Sequence, residues 1–86
     1  MNLGIAFDKE KKYKLAINTF NRAYILSNKD PIVYCYLISE WVKSGFIEKA
    51  EEMYEQLTRE FPNIQPNDPL YFSLKEIRKA LDQHKQ

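Results

Sequence analysis

Residues 30–62 read DPIVYCYLISEWVKSGFIEKAEEMYEQLTREFP, and the punctuation of this stretch decides the fold. Asp30 followed by Pro31 is a helix opening: an aspartate supplies a side-chain acceptor for free backbone N–H groups, and proline at the first helical position loses no hydrogen bond. Gly45 suits the left-handed turn that closes such a helix. From Ile47 onward, Ile47, Ala50, Tyr54, Leu57 and Phe61 fall on one face at helical spacing, and Pro62 ends the run. The stretch is two helices joined by a short turn.

Outward from it the same logic gives three more helices. One runs from the N-terminus to about Glu10. The next covers Tyr13 to Ser27, with Ala16, Phe20, Ala23 and Ser27 along one stripe and Tyr13, Ile17 and Tyr24 beside it. Asp68–Pro69 repeats the cap-then-proline opening, and Leu70, Leu74, Ile77 and Leu81 form the stripe of a fifth helix. No segment sustains the period-two alternation of a strand. The expected class is all-α, and connections of two to seven residues make sequential helices pack antiparallel as hairpins.

Composition narrows the function. At 86 residues the chain is one domain. With 13 Lys+Arg against 12 Asp+Glu it carries a net charge of +1, too little for a phosphate-coating surface, so a nucleic acid is disfavoured as partner. The single cysteine, Cys35, forms no internal disulfide, and the reducing cytoplasm is the expected compartment. The longest apolar run, Ile32 to Ile38, falls far short of the roughly 20 residues that cross a bilayer, and the charged start is not a signal peptide.

Sliding the chain against itself by 34 residues sets Leu3 on Leu37, Phe7 on Trp41, Ala16 on Ala50, Phe20 on Tyr54 and Ala23 on Leu57. Leu3-Gly4-x2-Phe7 with Ala16-x3-Phe20, and then Tyr34-x2-Leu37-Ile38-x2-Trp41 with Ala50-x3-Tyr54 and Pro62, resembles the tetratricopeptide repeat (TPR) pattern. The resemblance implies a single TPR-like domain over residues 1–86: repeat 1 at about 1–30, truncated at its N-terminal side, repeat 2 at about 31–64, and a capping helix at about 68–84. The two hairpins would form a right-handed stack. The departures are Ile38 at the family's glycine position, Lys11 at the first turn glycine, and Asn28 at the first closing proline. Two repeats and a helix are fewer than the three repeats usually needed for stability, which leaves self-association or missing neighbouring repeats open.

Val33-Tyr34-x2-Leu37-Ile38, Lys43-x-Gly45, Ala50, Tyr54, Leu57 and Ile64-Gln65-Pro66-Asn67 also resemble a pentatricopeptide repeat, whose units each read one RNA base. That family's main reading position follows the helix-opening tyrosine. Here it holds Cys35 and, after Tyr71, Phe72, neither of which offers an amide or hydroxyl to a base edge.

No catalytic set is legible. The only histidine, His84, lies in a polar tail, the two glycines stand apart, and Glu48, Glu51, Glu52 and Glu55 read as the solvated face of a helix. An enzyme, a metal and a cofactor are not expected. The positive signal is the third helix. Tyr34, Leu37, Ile38 and Trp41 form its expected buried stripe, and Cys35, Tyr36, Ser39, Val42 and Lys43 its opposite side, which is unusually apolar for a solvated face. By the TPR resemblance, the first helix of each hairpin lines a concave groove. The expected groove residues are then Ile5, Asp8 and Lys9 with Ile32, Cys35, Tyr36, Ser39, Val42 and Lys43. The partner would be another protein, presented as an extended peptide or an amphipathic helix, with this chain acting as an adaptor, scaffold or co-chaperone. The carboxylate clamp of some chaperone-binding members is missing, because Ile5 and Tyr36 stand where it places asparagines. A segment of a longer solenoid and a type III secretion chaperone-like protein are the remaining expectations.

Overall fold

The computed structural model describes residues 2–84, and the chain is all-α. The described residues form α1 (Asn2–Lys9), α2 (Tyr13–Leu26), α3 (Pro31–Lys43), α4 (Ile47–Glu60) and α5 (Pro69–His84). The boundaries expected from capping chemistry hold to within one or two residues. Asp30 has an extended backbone, and the Ile32 N–H donates to its Oδ1 at 2.9 Å. The Leu70 N–H donates to Asp68 Oδ1 at the same distance ahead of α5.

The starts of α2 and α4 have no side-chain cap and repeat each other 34 residues apart. Lys12 and Phe46 sit at φ −92°, ψ 68° and φ −87°, ψ 68°. Before them, Lys11 and Gly45 both take positive φ, 61° and 92°. The hydrogen bonds recur with the same offset: Lys11 N–H to the Asp8 carbonyl and Lys12 N–H to the Phe7 carbonyl, then Gly45 N–H to Val42 and Phe46 N–H to Trp41. The α1–α2 and α3–α4 turns are therefore one device built twice. The first copy holds a lysine in a region where a Cβ is crowded. Asn28, at φ 59°, occupies a conformation that proline cannot adopt.

α2 packs on α1 and α3, α3 packs on α4, and α5 lies against both α3 and α4. The molecule measures 34 × 33 × 20 Å, and its thinnest direction is about two helix diameters. Leu70, Leu74, Ile77 and Leu81 of α5 are all buried, as are Ala16, Phe20, Ala50 and Leu57. Met53 joins them. Ser27 lies exposed and Phe61 partly so at the ends of their stripes. Leu37 is buried but Leu3, its counterpart in the self-alignment, is 59% exposed, because α1 is packed by α2 on one side only while α3 is surrounded.

Gly4 explains the depth of Phe20. A Cβ at Gly4 would lie 2.8 Å from the Phe20 ring, so only glycine lets α1 approach this closely. Thirty-four residues on, Ile38 stands in place of the glycine and is completely buried, and Tyr54 is half-buried.

The structure corrects the expected faces of α3. Tyr34 and Trp41 are half-buried, whereas Cys35 and Val42, expected on an open side, belong to the core at 4% and 5% exposure. The reason is that α2, α4 and α5 enclose α3. A helix that is apolar nearly all round is a buried helix, and that is the correct physical meaning of the apolar residues on its second side.

Candidate interaction face

On the side of α3 away from Tyr34 and Trp41, a narrow strip reaches solvent. Ile32 and Ser39 are half-buried on it, and Tyr36 and Lys43 are exposed. α5 continues the strip. Ile32, Cys35, Tyr36 and Ser39 face Phe72, Ser73, Glu76 and Ile77 across a groove of about 330 Å³. Tyr36 is fixed at the rim because its ring stacks on Phe20, with centroids 5.3 Å apart and planes 9° off parallel. Phe72, on the facing rim, is 65% exposed. Phe72, Ser73 and Glu76 were not legible as site residues, since nothing in the sequence tells which side of α3 the fifth helix covers.

The α1 side of the face is electrostatic. The Lys43 ammonium donates to both Asp8 carboxylate oxygens, at 2.8 and 3.0 Å, and so ties α3 to α1. Ile5 packs half-buried against the core and Lys9 is exposed. Beneath the ion pair lies Glu40, only 3% exposed, whose Oε2 has no hydrogen-bond partner. Burial, its hydrogen bond to Asp8 and the Asp8 charge push the Glu40 carboxyl up to about 7, against a smaller opposing pull from Lys43. For Asp8, burial works upward, yet the hydrogen bonds with Lys43 and Glu40 and the Lys43 charge bring it below the ordinary aspartate value. Glu40 has a sequence signal in retrospect: at helical spacing it falls beside Val33 and Leu37, both buried.

Thus Ile32, Tyr36, Ser39 and Lys43 come together with Asp8 near one end, while Cys35 forms only the groove floor and Val42 lies within the core. Burial, reinforced by the Asp30 charge, pushes the Cys35 thiol up to about 12. Native chain is therefore expected to react with a maleimide at least about a hundredfold more slowly than unfolded chain, followed by mass spectrometry. Labelling at the unfolded rate would contradict the enclosure of α3.

Comparison with protein-family models, with curated proteins and with solved structures finds no match for this chain. Among the described residues no three His, Cys, Asp or Glu side chains cluster in a way that could hold a metal ion. Among the described residues no helix is long and apolar enough to cross a membrane.

Proposed function

We propose that this chain is a non-catalytic protein-interaction module of the cytoplasm, a TPR-like pair of helical hairpins with α5 as cap, which holds a peptide or helix of another protein along the α3–α5 face. The observation that carries the reading is the pair of exposed aromatic rings, Tyr36 and Phe72, on opposite rims of one groove. Aromatic side chains flanking an apolar concavity are the usual anchors of a protein contact. The turn geometry that recurs after 34 residues supports the repeat architecture. An RNA-reading alternative is weaker, because Cys35 is buried and Phe72 offers no polar group to a base. A structural segment of a larger array is the second reading. It draws on Leu3, Leu15, Ile25 and Leu26, large aliphatic side chains of α1 and α2 left exposed.

The test is selection of displayed peptides on immobilised chain, repeated on the Ser39→Glu/Phe72→Glu variant, whose new carboxylates face Glu76 and no cation of the groove. Charges without partners in an apolar contact should lower affinity about a hundredfold, while the thermal midpoint scarcely moves because Phe72 is exposed and Ser39 half-exposed. A selection in which no peptide loses affinity on the variant would sink the reading. So would a submicromolar complex with single-stranded RNA at physiological salt.

A further inference from the structure

The far side of α5, away from Phe72 and Glu76, forms a second groove, of about 590 Å³, with α4 and the segment that joins the two helices. Its floor is apolar: Leu74 is buried, and Tyr54 and Ile64 are half-buried with Phe61 beside them. Its α5 wall is the stripe Tyr71, Lys75, Arg78 and Asp82, with Lys79 alongside. The stripe follows i, i+4, i+7, i+11, so the groove runs along the helix for about 16 Å. Charge is unbalanced here although the whole chain carries only +1. Asp82 is the one carboxylate in the lining, and Arg78 already holds it at 3.5 Å. Arg78 is itself placed over the Tyr54 ring, 5.9 Å from its centroid. Lys75 and Lys79 are exposed and make no ion pair among the described residues. The other acid of this part of α5, Glu76, lies on the opposite groove.

We propose that the α4–α5 groove docks an acidic amphipathic helix of a partner protein, with apolar side chains on the floor and carboxylates against Lys75 and Lys79. The proposal does not depend on the α3–α5 face. A helix suits the site because its backbone groups are satisfied internally, whereas an extended peptide would set unpaired amides against Tyr54, Ile64 and Leu74. The acidic character follows from the two unpaired ammonium groups, which attract a carboxylate-bearing partner and repel a basic one. An apolar floor flanked by these two lysines gives a phosphate backbone less to bind than it gives a helix with one apolar face.

The experiment uses two displayed libraries of helical peptides of about 20 residues with one common apolar pattern. Their remaining positions are drawn from Glu, Asp and Ser in one library and from Lys, Arg and Ser in the other. The intact chain should enrich the acidic library alone. Enriched peptides should lose at least about tenfold in affinity on the Lys75→Glu/Lys79→Glu variant and in high salt, and should keep their affinity on Phe72→Glu, which alters only the other groove. Circular dichroism on both variants verifies that these exposed changes leave the helices folded. Enrichment of both libraries or of neither, or acidic peptides indifferent to the charge reversal, overturns the proposal. A labelled oligouridine that binds more tightly than the peptides and is released by the same reversal also overturns it, in favour of a nucleic acid.

Discussion

Phe20→Ala is expected to lower the unfolding free energy by about 3–5 kcal/mol. Phe20 is 1% exposed and among the largest completely buried side chains of the molecule. Its ring meets the Gly4 backbone of α1 on one side and stacks on Tyr36 of α3 on another, so one truncation loosens three helices at once. A chain of this size has a total stability of only about 4–13 kcal/mol, so the loss is a large share of it and, at the lower end of that range, leaves the variant largely unfolded at room temperature. Urea denaturation followed by circular dichroism measures the effect, with Phe20→Leu as the milder control. A loss below about 1 kcal/mol would mean that the close approach of α1 to α2 does not contribute to the core.

The second large effect is a pH dependence centred on Glu40. Its carboxyl is raised from an unfolded value of 4.5 to about 7. The folded state therefore holds this proton more tightly than the unfolded chain does. Stability from this group is complete below about pH 4.5, declines as the pH rises, and is gone above about pH 7. The charged and titratable groups facing it are Asp8 of α1 and Lys43 of its own helix. Asp8 acts in the opposite sense: its lowered value adds stability above the unfolded 3.8 and loses it as the pH falls further. The optimum should lie near pH 4–5, between these two slopes. Glu40→Gln keeps the shape and removes the ionisation. At about pH 8 the variant should be more stable than the natural chain by on the order of 1–3 kcal/mol, and at about pH 4.5 the two should nearly coincide. Thermal midpoints across the pH range decide it. Parallel curves for the two proteins would show that Glu40 is already ionised and solvated in the native state.

The helices were legible because their ends carry local chemistry. Asp30–Pro31 and Asp68–Pro69 act on the nearest few backbone groups, and the structure shows the side-chain hydrogen bonds that these residues promised. The 34-residue offset was legible from apolar and small residues at matching positions, such as Ala16 with Ala50 and Phe20 with Tyr54, and the structure repeats the turn hydrogen bonds at the same spacing. Lys11 shows that the offset outlasts a mismatch: neighbouring bonds impose the left-handed turn on a lysine where the second copy has Gly45. The face of α3 was not legible. Whether Cys35 and Val42 meet solvent depends on where α5 lands, and that is set by packing among residues distant in sequence. Glu40 was hidden likewise, because a charged residue between Ser39 and Trp41 reads as surface until α3 is known to be enclosed.

The pairing of α3 with α5 passes over α4, whereas the other major contacts join consecutive helices. Consecutive pairings close short loops and form early, while this one must close a loop of some 25 residues between Lys43 and Pro69. Until that loop closes, α3 is packed by its neighbours in sequence alone. During that interval its Cys35 side is uncovered, and the folding chain presents an apolar helix face that the finished protein conceals.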